Sequence, residues 1–175
     1  RFRHKSGAWV LFLDRGFFLE PVDGKHSRMV GMMTDITAWK AAEQTLRENE
    51  RRYRALFDLS PSGIIVEDAR GTILDINPSL CAAFGYDREE LIGRNIRIVV
   101  PPNEHHVIDG HAARIIAGEE MEHEVMNVRK DGSTCWMELR ETAMTLPDGS
   151  PGILSVANDV TLRRDAKDAL IAAKE

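Results

Sequence analysis

The chain has 175 residues, of which 43% are hydrophobic, and carries a formal net charge of −5. This length and apolar content suffice for one ordinary folded domain with additional segments, and they exclude a disordered chain. Charges of both signs are interspersed without a basic block, so neither nucleic acid nor an anionic membrane surface is indicated as a partner. No apolar run reaches the roughly 20 residues that a membrane-spanning helix needs.

The two cysteines, Cys81 and Cys135, lie far apart in apolar surroundings and form no Cys-x-x-Cys pair. Such residues are typical of buried free thiols in a reducing compartment. We therefore expect a cytoplasmic location, while a membrane anchor elsewhere in a longer parent protein stays open.

A short pattern occurs twice along the chain. The matching pieces are Lys5-Ser6-Gly7 with Lys130-Asp131-Gly132, Asp23-Gly24 with Asp148-Gly149, and Asp35-Ile36-Thr37 with Asp159-Val160-Thr161. Each copy predicts a Gly turn, a strand, a second turn, another strand and then a helix capped by the Asp or the Thr. Further predicted elements precede the second copy, whereas the first copy begins at Arg1. We therefore expect residues 1–37 to be the last strands of a preceding domain, and whether they are ordered stays open.

A helix is predicted between the two copies, at residues 38–57. Its apolar or aromatic positions recur at steps of three and four, with Asn49 in one slot and charged residues elsewhere: Trp39, Ala42, Leu46, Tyr53 and Leu56. This spacing is typical of a coiled coil in which Asn49 sets the register, so we expect a homodimer through these linker helices. A linker helix that packs on its own domain is the alternative, and a parallel or antiparallel dimer stays open. A weaker repeat predicts that residues 162–175 begin an output helix.

The elements between these two helices are predicted from turn and cap residues. Asn77-Pro78 predicts a helix start, because the Asn side chain can accept from a free amide and Pro at the first position loses no needed donor. Asp87 can cap a further short helix. The predicted elements are strands at 63–67 and 72–76, helices at 79–84, 88–91 and 104–117, and strands at about 120–128, 133–144 and 152–158.

Several separated phrases in this stretch resemble one family. They are GIIVEDARGTILDINPSLCAAFGYDREELIGRNI, VRKDGSTCWMELRET and VANDVT, and they are similar to a PAS domain with its C-terminal PAC motif. The resemblance covers residues 52–161 and makes residues 1–37 the PAC part of another PAS domain. It implies an α+β fold in which a five-stranded antiparallel sheet carries short helices on one face around a small pocket, here flanked by amphipathic linker helices.

The resemblance also implies a function. PAS domains are sensory modules, here of a bacterial signalling protein such as a sensor histidine kinase or a diguanylate cyclase. A change in the pocket or at the dimer interface is expected to pass through the linker helices to a kinase or cyclase effector in the same parent chain. Neither a nucleophile–base arrangement, nor a phosphate-binding Gly loop, nor a zinc-protease motif occurs, so we expect no catalysis within this segment.

The closing motif supplies the candidate signal-coupling residues. In this family its Asp and Thr tie the last strand to the output helix, which implicates Asp159 and Thr161. Lys130 is a candidate ionic partner for Asp159. The repeat extends the same role to Asp35 and Thr37.

Alternation along the strands and along the longer helix, with the resemblance, selects the pocket candidates. Alternate residues of a strand share one face, and so do helix residues three or four apart. The candidates are Ile64, Val66, Leu74, Ile76, Ile98, Ile108, His111, Ile115, His123, Val125, Cys135, Met137 and Leu139. These side chains line a pocket for a small-molecule ligand, or they fill it themselves in a ligand-free dimerisation and relay module.

We predict that no cofactor is bound, and haem and flavin are the alternatives. Photoreceptor relatives form a flavin adduct on a cysteine after Gly-x-Asn, but Gly93-Arg94-Asn95 is followed here by Ile96. Flavin bound without covalent chemistry, in a gas or redox sensor, therefore stays an alternative. The signal that the protein senses also stays open.

The haem alternative depends on histidines near the longer helix. In similar oxygen sensors the iron-ligating His directly precedes an Asp-Gly pair, and Ile108 occupies that position here. His111 lies one turn further along, and His123 falls near the position of a ligand-responsive Arg. His111 is thus a candidate haem ligand, and no other metal site is predicted.

Overall fold

The computed structural model describes residues 1–19 and 28–173 of the chain. The chain divides into two units, Arg1–Arg54 and Ala55–Glu175, and each is described here by itself. The turn expected at Asp23-Gly24 and the last two residues of the expected output helix lie outside the described residues.

The first unit contains two antiparallel strand pairs. Strand β1 (Phe2–Arg3) pairs with β2 (Trp9–Val10) across a turn in which Gly7 has a φ of 89°. Strand β3 (Phe12–Leu19) pairs with β4 (Arg28–Asp35).

Helix α1 (Thr37–Asp58) follows β4 and confirms the helix predicted at residues 38–57. Its seam of apolar side chains is mostly exposed, including Trp39, Leu46 and Leu56. Among the described residues, no helix is both long enough and apolar enough to cross a membrane.

The second unit is built on a five-stranded sheet in which every neighbouring pair is antiparallel, as expected from the sequence. The strands lie in the order β6-β5-β9-β8-β7, so β6 and β7 form the edges. Their bounds are β5 (Gly63–Asp68), β6 (Ile73–Ile76), β7 (Met121–Val128), β8 (Thr134–Thr145) and β9 (Pro151–Asp159).

Helices and 3₁₀ turns connect β6 to β7, and another helix follows β9. They are α2 (Pro78–Phe84), α3 (Arg88–Leu91), 3₁₀ turns at Ile96–Val99 and Pro102–Glu104, α4 (His105–Ile116) and α5 (Thr161–Ala172). The predicted caps are present, because Asn77 caps α2 and Asp87 forms a reciprocal capping box with Glu90 at α3. Gly85 ends α2 in the left-handed conformation, with a φ of 74°.

The side chain of Asn77 is fully buried and makes four hydrogen bonds. It accepts from the amides of Ile64 and Leu80 at 2.9 and 3.1 Å. It donates to the carbonyls of Phe57 and Ser62 at 3.1 and 2.9 Å. Because a buried amide is costly unless it is satisfied, this residue joins the end of α1, the start of β5 and the start of α2 in one arrangement.

The apolar core of the second unit packs α2 and α3 against the sheet. Its buried members are Ile65, Ile73, Ile76, Leu80, Cys81, Phe84, Leu91, Val99, Cys135, Met137 and Ala157. Both cysteines are free and buried, as predicted. The packing leaves no room for a side chain at Gly63, where an added Cβ would lie 2.6 Å from a methyl carbon of Leu80.

Candidate functional site

A cavity of about 640 Å³ lies beside this core, lined by α4 and by the inward face of the sheet. Its volume falls in the range typical of small-molecule sites. The apolar lining includes Ile65, Ile108, Ile115, Val125, Leu139 and Ile153. Part of the cavity extends around the edge strand, because Glu124, Met126 and Trp136 of the outer face also line it.

Six of the residues predicted to line a pocket do so. They are Ile108, His111, Ile115, His123, Val125 and Leu139. Three others, Ile76, Cys135 and Met137, lie in the packed core beside the cavity.

The strand β5 faces the opposite way from the prediction. Ile65 and Glu67 line the cavity, whereas Ile64 and Val66 do not. The expectation for Ile64 and Val66 was therefore wrong. Three consecutive apolar residues, Ile64 to Val66, give the strand no alternation from which its inward face could be identified.

Leu74 and Ile98 also lie outside the lining, and their side chains are 41% and 40% exposed. The pairing of β6 with β5 steps from Asp75 to Ile73, so Leu74 is the extra residue of a bulge. Ile98 lies in a 3₁₀ turn, in which residues three apart share a face, and Val99 is the buried one. Neither irregularity follows from simple alternation.

A polar cluster lies within the otherwise apolar cavity, where α4 faces β7 and β8. The rings of His111 and His123 have centroids 4.8 Å apart. His123 Nε2 lies 3.4 Å from Glu141 Oε2, and Ser155 Oγ donates to Glu141 Oε1 at 2.9 Å. One potential ligand atom from each of His111, His123 and Glu141 lies within 4.8 Å of the other two.

Burial sets the protonation of this cluster. Burial lowers the pKa of His123, and burial together with the neighbouring His123 lowers the pKa of His111, so both imidazoles favour the neutral form. Burial raises the pKa of Glu141, although the hydrogen bond from Ser155 opposes this. Burial, with the nearby Glu141 and Asp68 carboxylates, raises the pKa of Glu67 to about 8. At neutral pH the Glu67 carboxyl is therefore mostly protonated.

The lining of the cavity gives no support to haem bound to His111. A haem iron needs a wide, flat macrocycle directly against the ligating nitrogen. The potential ligand atoms of His123 and Glu141 lie within 4.8 Å of the one on His111, so a macrocycle would share this part of the cavity with those side chains. Covalent flavin chemistry does not fit either, because Ile96 lines the cavity and offers no nucleophile.

Sequence reasoning missed Glu67, Glu141 and Ser155. A signal for Glu141 existed, because it lies two residues beyond Leu139 and therefore continues the inward alternation of β8. Glu67 and Ser155 could be recognised only after the orientation of β5 and its pairing with β9 were known, since Glu67 pairs with Ile153 and Ile65 with Ser155.

The junction between β9 and α5 is closed by hydrogen bonds. Asp159 Oδ1 accepts from the amide and from the hydroxyl of Thr161, at 2.9 and 2.6 Å. Thr161 Oγ1 in turn accepts from the amide of Trp136 on β8 at 2.9 Å. The amide of Val160 donates to the carbonyl of Trp136 at 2.8 Å. The start of α5 is thus tied to two strands.

The ionic partner of Asp159 is Arg129, and the expected pair with Lys130 is wrong. Arg129 contacts Asp159 Oδ2 at 2.7 Å and also donates to the carbonyl of Ala83 at 2.9 Å. Lys130 instead pairs with Glu90 at 2.6 Å. The two basic residues are adjacent, so their side chains leave the backbone in different directions, and only the three-dimensional structure distinguishes them.

Helix α5 also contacts the outer face of the sheet. Arg164 lies over the ring of Trp136, with 3.8 Å between the guanidinium carbon and the ring centroid, and pairs with Glu124 at 2.5 Å. Arg163 reaches Glu138 at 3.1 Å. The face of the sheet that carries Trp136 therefore contacts α5.

The first unit contains the same junction. Asp35 Oδ1 accepts from the amide of Thr37 at 2.9 Å, and Thr37 Oγ1 accepts from the amide of Leu11 at 2.8 Å. Asp35 pairs with Phe12, and Asp159 pairs with Met137, so the strand register is the same as well.

Comparison with known proteins gives a consistent family. Residues 51–160 match the family model described as "PAS fold". The sensor histidine kinase TmoS of Ectopseudomonas mendocina is 29% identical over 128 residues, which cover 71% of this chain and 13% of that protein. The sensor protein FixL of Bradyrhizobium diazoefficiens is 26% identical over 161 residues, which cover 89% of this chain and 31% of that protein.

A solved structure gives the same result. The PAS domain of an HTR-like protein from Haloarcula marismortui aligns with a TM-score of 0.62 and 32% identity, covering 69% of this chain and 98% of that one. The chain spans less than a third of the length of the two sensor proteins. The matching fold, family model and relatives show that the chain belongs to the PAS fold family, as a sensory PAS domain related to those of sensor histidine kinases.

Proposed function

We propose that residues 52–161 form a signal-relay module in which a change in the cavity alters the attachment of α5 to the sheet. The observation that carries this proposal is the double role of the edge strand β7. His123 faces the cavity, while the next residue, Glu124, pairs with Arg164 of α5. A displacement of this strand by a cavity occupant therefore acts directly on the helix contacts.

The neighbouring strand β8 supports the same route. Glu141 and Leu139 face the cavity, whereas Trp136 and Glu138 contact α5 from the other face. A ligand can shift such an equilibrium only by binding the two arrangements with different affinities. We propose two states, one in which α5 is attached to the sheet and one in which it is less attached.

The relay can be tested at Asp159 with a matched control in the same strand pair. Asp148 accepts from the amide of Ser150 at 2.9 Å, in the β8–β9 turn. We expect Asp159→Ala to raise hydrogen exchange of the α5 amides at least tenfold, because it removes the bonds that fix the first turn. Asp148→Ala should leave α5 exchange unchanged.

Equal α5 exchange in Asp159→Ala and in the unmodified protein would overturn the relay. In the full-length parent protein, the same substitution should weaken signalling, and normal signalling would contradict the proposal. Circular dichroism verifies that the variant keeps its fold.

A cavity occupant distinguishes this function from a ligand-free relay. The described side chains leave about 640 Å³ unfilled, which supports a small-molecule or ion site over a cavity filled by its own residues. Mass spectrometry of material released on denaturation, with an absorption spectrum from the near ultraviolet to the red, tests this point. A haem or flavin spectrum would instead establish the gas or redox sensor.

For the parent protein, we infer a histidine kinase effector and a homodimer. The sensor histidine kinase TmoS described above supports the effector. The exposed seam of α1 supports pairing of two chains, because Leu46 and Leu56 are 68% and 70% exposed. Leu46→Glu should shift the chain towards monomer in sedimentation velocity, while Glu48→Gln, off the seam, should not. A monomer in both the unmodified protein and the variants would contradict the dimer.

A further inference from the structure

We propose that the cavity holds one divalent transition-metal ion of the zinc type, bound by His111, His123 and Glu141. This inference names the chemical class of a cavity occupant, and it depends on the proposed function only for the consequence of binding, not for binding itself. The three residues come from α4, β7 and β8, which pack together around this end of the cavity.

The ligand types and their number suit such an ion. Two imidazoles and one carboxylate are a common three-residue set for zinc and related ions, with a further position left for water or another ligand. Among the described residues, His111, His123 and Glu141 form the one group of three potential ligands that lie close enough to hold a metal ion, and all three line the cavity.

The distances are close to those that the ion requires. Ligand bonds of about 2.0–2.1 Å in a tetrahedral arrangement place neighbouring ligand atoms about 3.3 Å apart. His123 Nε2 and Glu141 Oε2 are already 3.4 Å apart. The His111 ligand atom lies within 4.8 Å of both, so a small side-chain rotation on α4 completes the set.

One further feature of the cluster supports a cation. Ser155 donates to Glu141 Oε1 and thereby orients the carboxylate towards His123 through its other oxygen, as groups behind metal ligands do.

The same cluster without a metal is the alternative explanation. In that case the His123–Glu141 contact is a simple polar pair across β7 and β8, whose pairing brings the two residues close on the cavity face. Such a pair would bind no ion stoichiometrically, so direct titration separates the two explanations.

The test is titration of chelator-treated, dialysed protein with Zn²⁺ by calorimetry. We expect one ion per chain, and we expect His111→Ala and His123→Ala each to weaken binding at least tenfold. Glu141→Gln keeps the shape of the side chain and should also weaken binding. His106→Ala is the matched control, because His106 is exposed on the same helix, and it should not change the affinity.

A second readout on the unmodified protein does not depend on how the variants fold. Added Zn²⁺ should shift the imidazole resonances of His111 and His123 in NMR spectra, and Co²⁺ should give the intense visible absorption of a tetrahedral site. Absence of stoichiometric Zn²⁺ binding, or binding that survives both His→Ala substitutions, would overturn the metal site.

These outcomes are separate from those of the relay. The Asp159→Ala comparison is made without added metal, so it can fail while Zn²⁺ still binds. Conversely, if Zn²⁺ does not bind, the hydrogen exchange of the α5 amides still tests the relay.

Discussion

The Asp-x-Thr junction occurs twice in this protein, at the end of a bare strand pair and at the end of a five-stranded sheet. The local bonds are nearly the same, because the amides of Thr37 and Thr161 donate to the preceding Asp at 2.9 Å in both. The hydroxyl of each Thr then accepts from a backbone amide, from Leu11 directly before β3 at 2.8 Å and from Trp136 in β8 at 2.9 Å. A few residues therefore suffice to build the turn from strand to helix.

The surroundings of the two junctions differ. Strand register places His4 where the second copy has Arg129, and His4 lies 2.9 Å from the hydroxyl of Ser6, whereas Arg129 pairs with Asp159. Phe18 of the first copy is 76% exposed, while the second copy is packed against a core. The turn is thus formed by local hydrogen bonds, and its coupling to a sheet and a cavity depends on the rest of the domain.

The largest expected effect comes from removing the Asp in each copy. Asp159→Ala removes two bonds to Thr161 and leaves the half-buried Arg129 without its carboxylate, so we expect a loss of about 2 kcal/mol in the free energy of unfolding. Asp35→Ala should leave that free energy unchanged, because the first junction is exposed. Urea unfolding followed by circular dichroism measures both, and equal losses would show that the surroundings do not matter.

The next effect comes from the Thr hydroxyl. Thr161→Val keeps the side-chain shape but leaves the amide of Trp136 without its acceptor, at an expected cost of about 1–2 kcal/mol. Thr37→Val does the same to Leu11 and should raise only the exchange rate of that amide. If Thr37→Val lowers the unfolding free energy as much as Thr161→Val, the first copy is packed as firmly as the second.

Acid should weaken the second junction. Burial raises the pKa of Asp159, but the hydrogen bonds from Thr161 and Arg129 together outweigh it, so the pKa is lowered from the ordinary 3.8. A lowered pKa in the folded state gives stability that is present above pH 3.8 and is lost as pH falls through the folded-state pKa. The stability difference between the unmodified protein and Asp159→Asn should therefore shrink on acidification below pH 4. A constant difference would contradict this linkage.

The smallest effect is expected from restoring the missing cation. His4→Arg places a guanidinium at the position that corresponds to Arg129, near Asp35 in an exposed setting where ion pairs contribute little. We expect a reduction of less than threefold in the exchange rate of the Thr37 amide, measured by NMR, with Lys5→Arg as the control. A larger protection would mean that the cation alone recreates the second junction.

Much of the fold could be predicted because local chemistry specifies it. Asn77-Pro78, Asp87 and Gly85 mark helix boundaries through caps and backbone conformation, and the structure confirms them. The five-stranded antiparallel sheet followed from the family resemblance, whereas its strand order was seen only in the structure. The choice of Arg129 over Lys130 as the partner of Asp159 could not be predicted, because it depends on side-chain direction in three dimensions.

The candidate site was harder to predict than the fold. His111 and His123 were recognised as inward candidates by helical and strand spacing, but Glu67 was not, because β5 is apolar on consecutive positions. The bulge at Leu74 is likewise a property of pairing between strands and not of either strand alone. Periodicity identifies faces only where the chain is regular, and this cavity is bordered by irregular segments.

The bonds from Asp159 and Trp136 to Thr161 also determine the rotational phase of everything attached to α5. Each helical residue turns the chain by about 100°, so one residue inserted after Thr161 rotates a downstream partner by that angle, and seven residues return it almost to the original direction. Because the anchoring bonds lie within the first turn, the rotation of the helix about its own axis is fixed at its start. A downstream domain joined through α5 is therefore oriented by the number of residues in the connection as much as by the contacts that it makes.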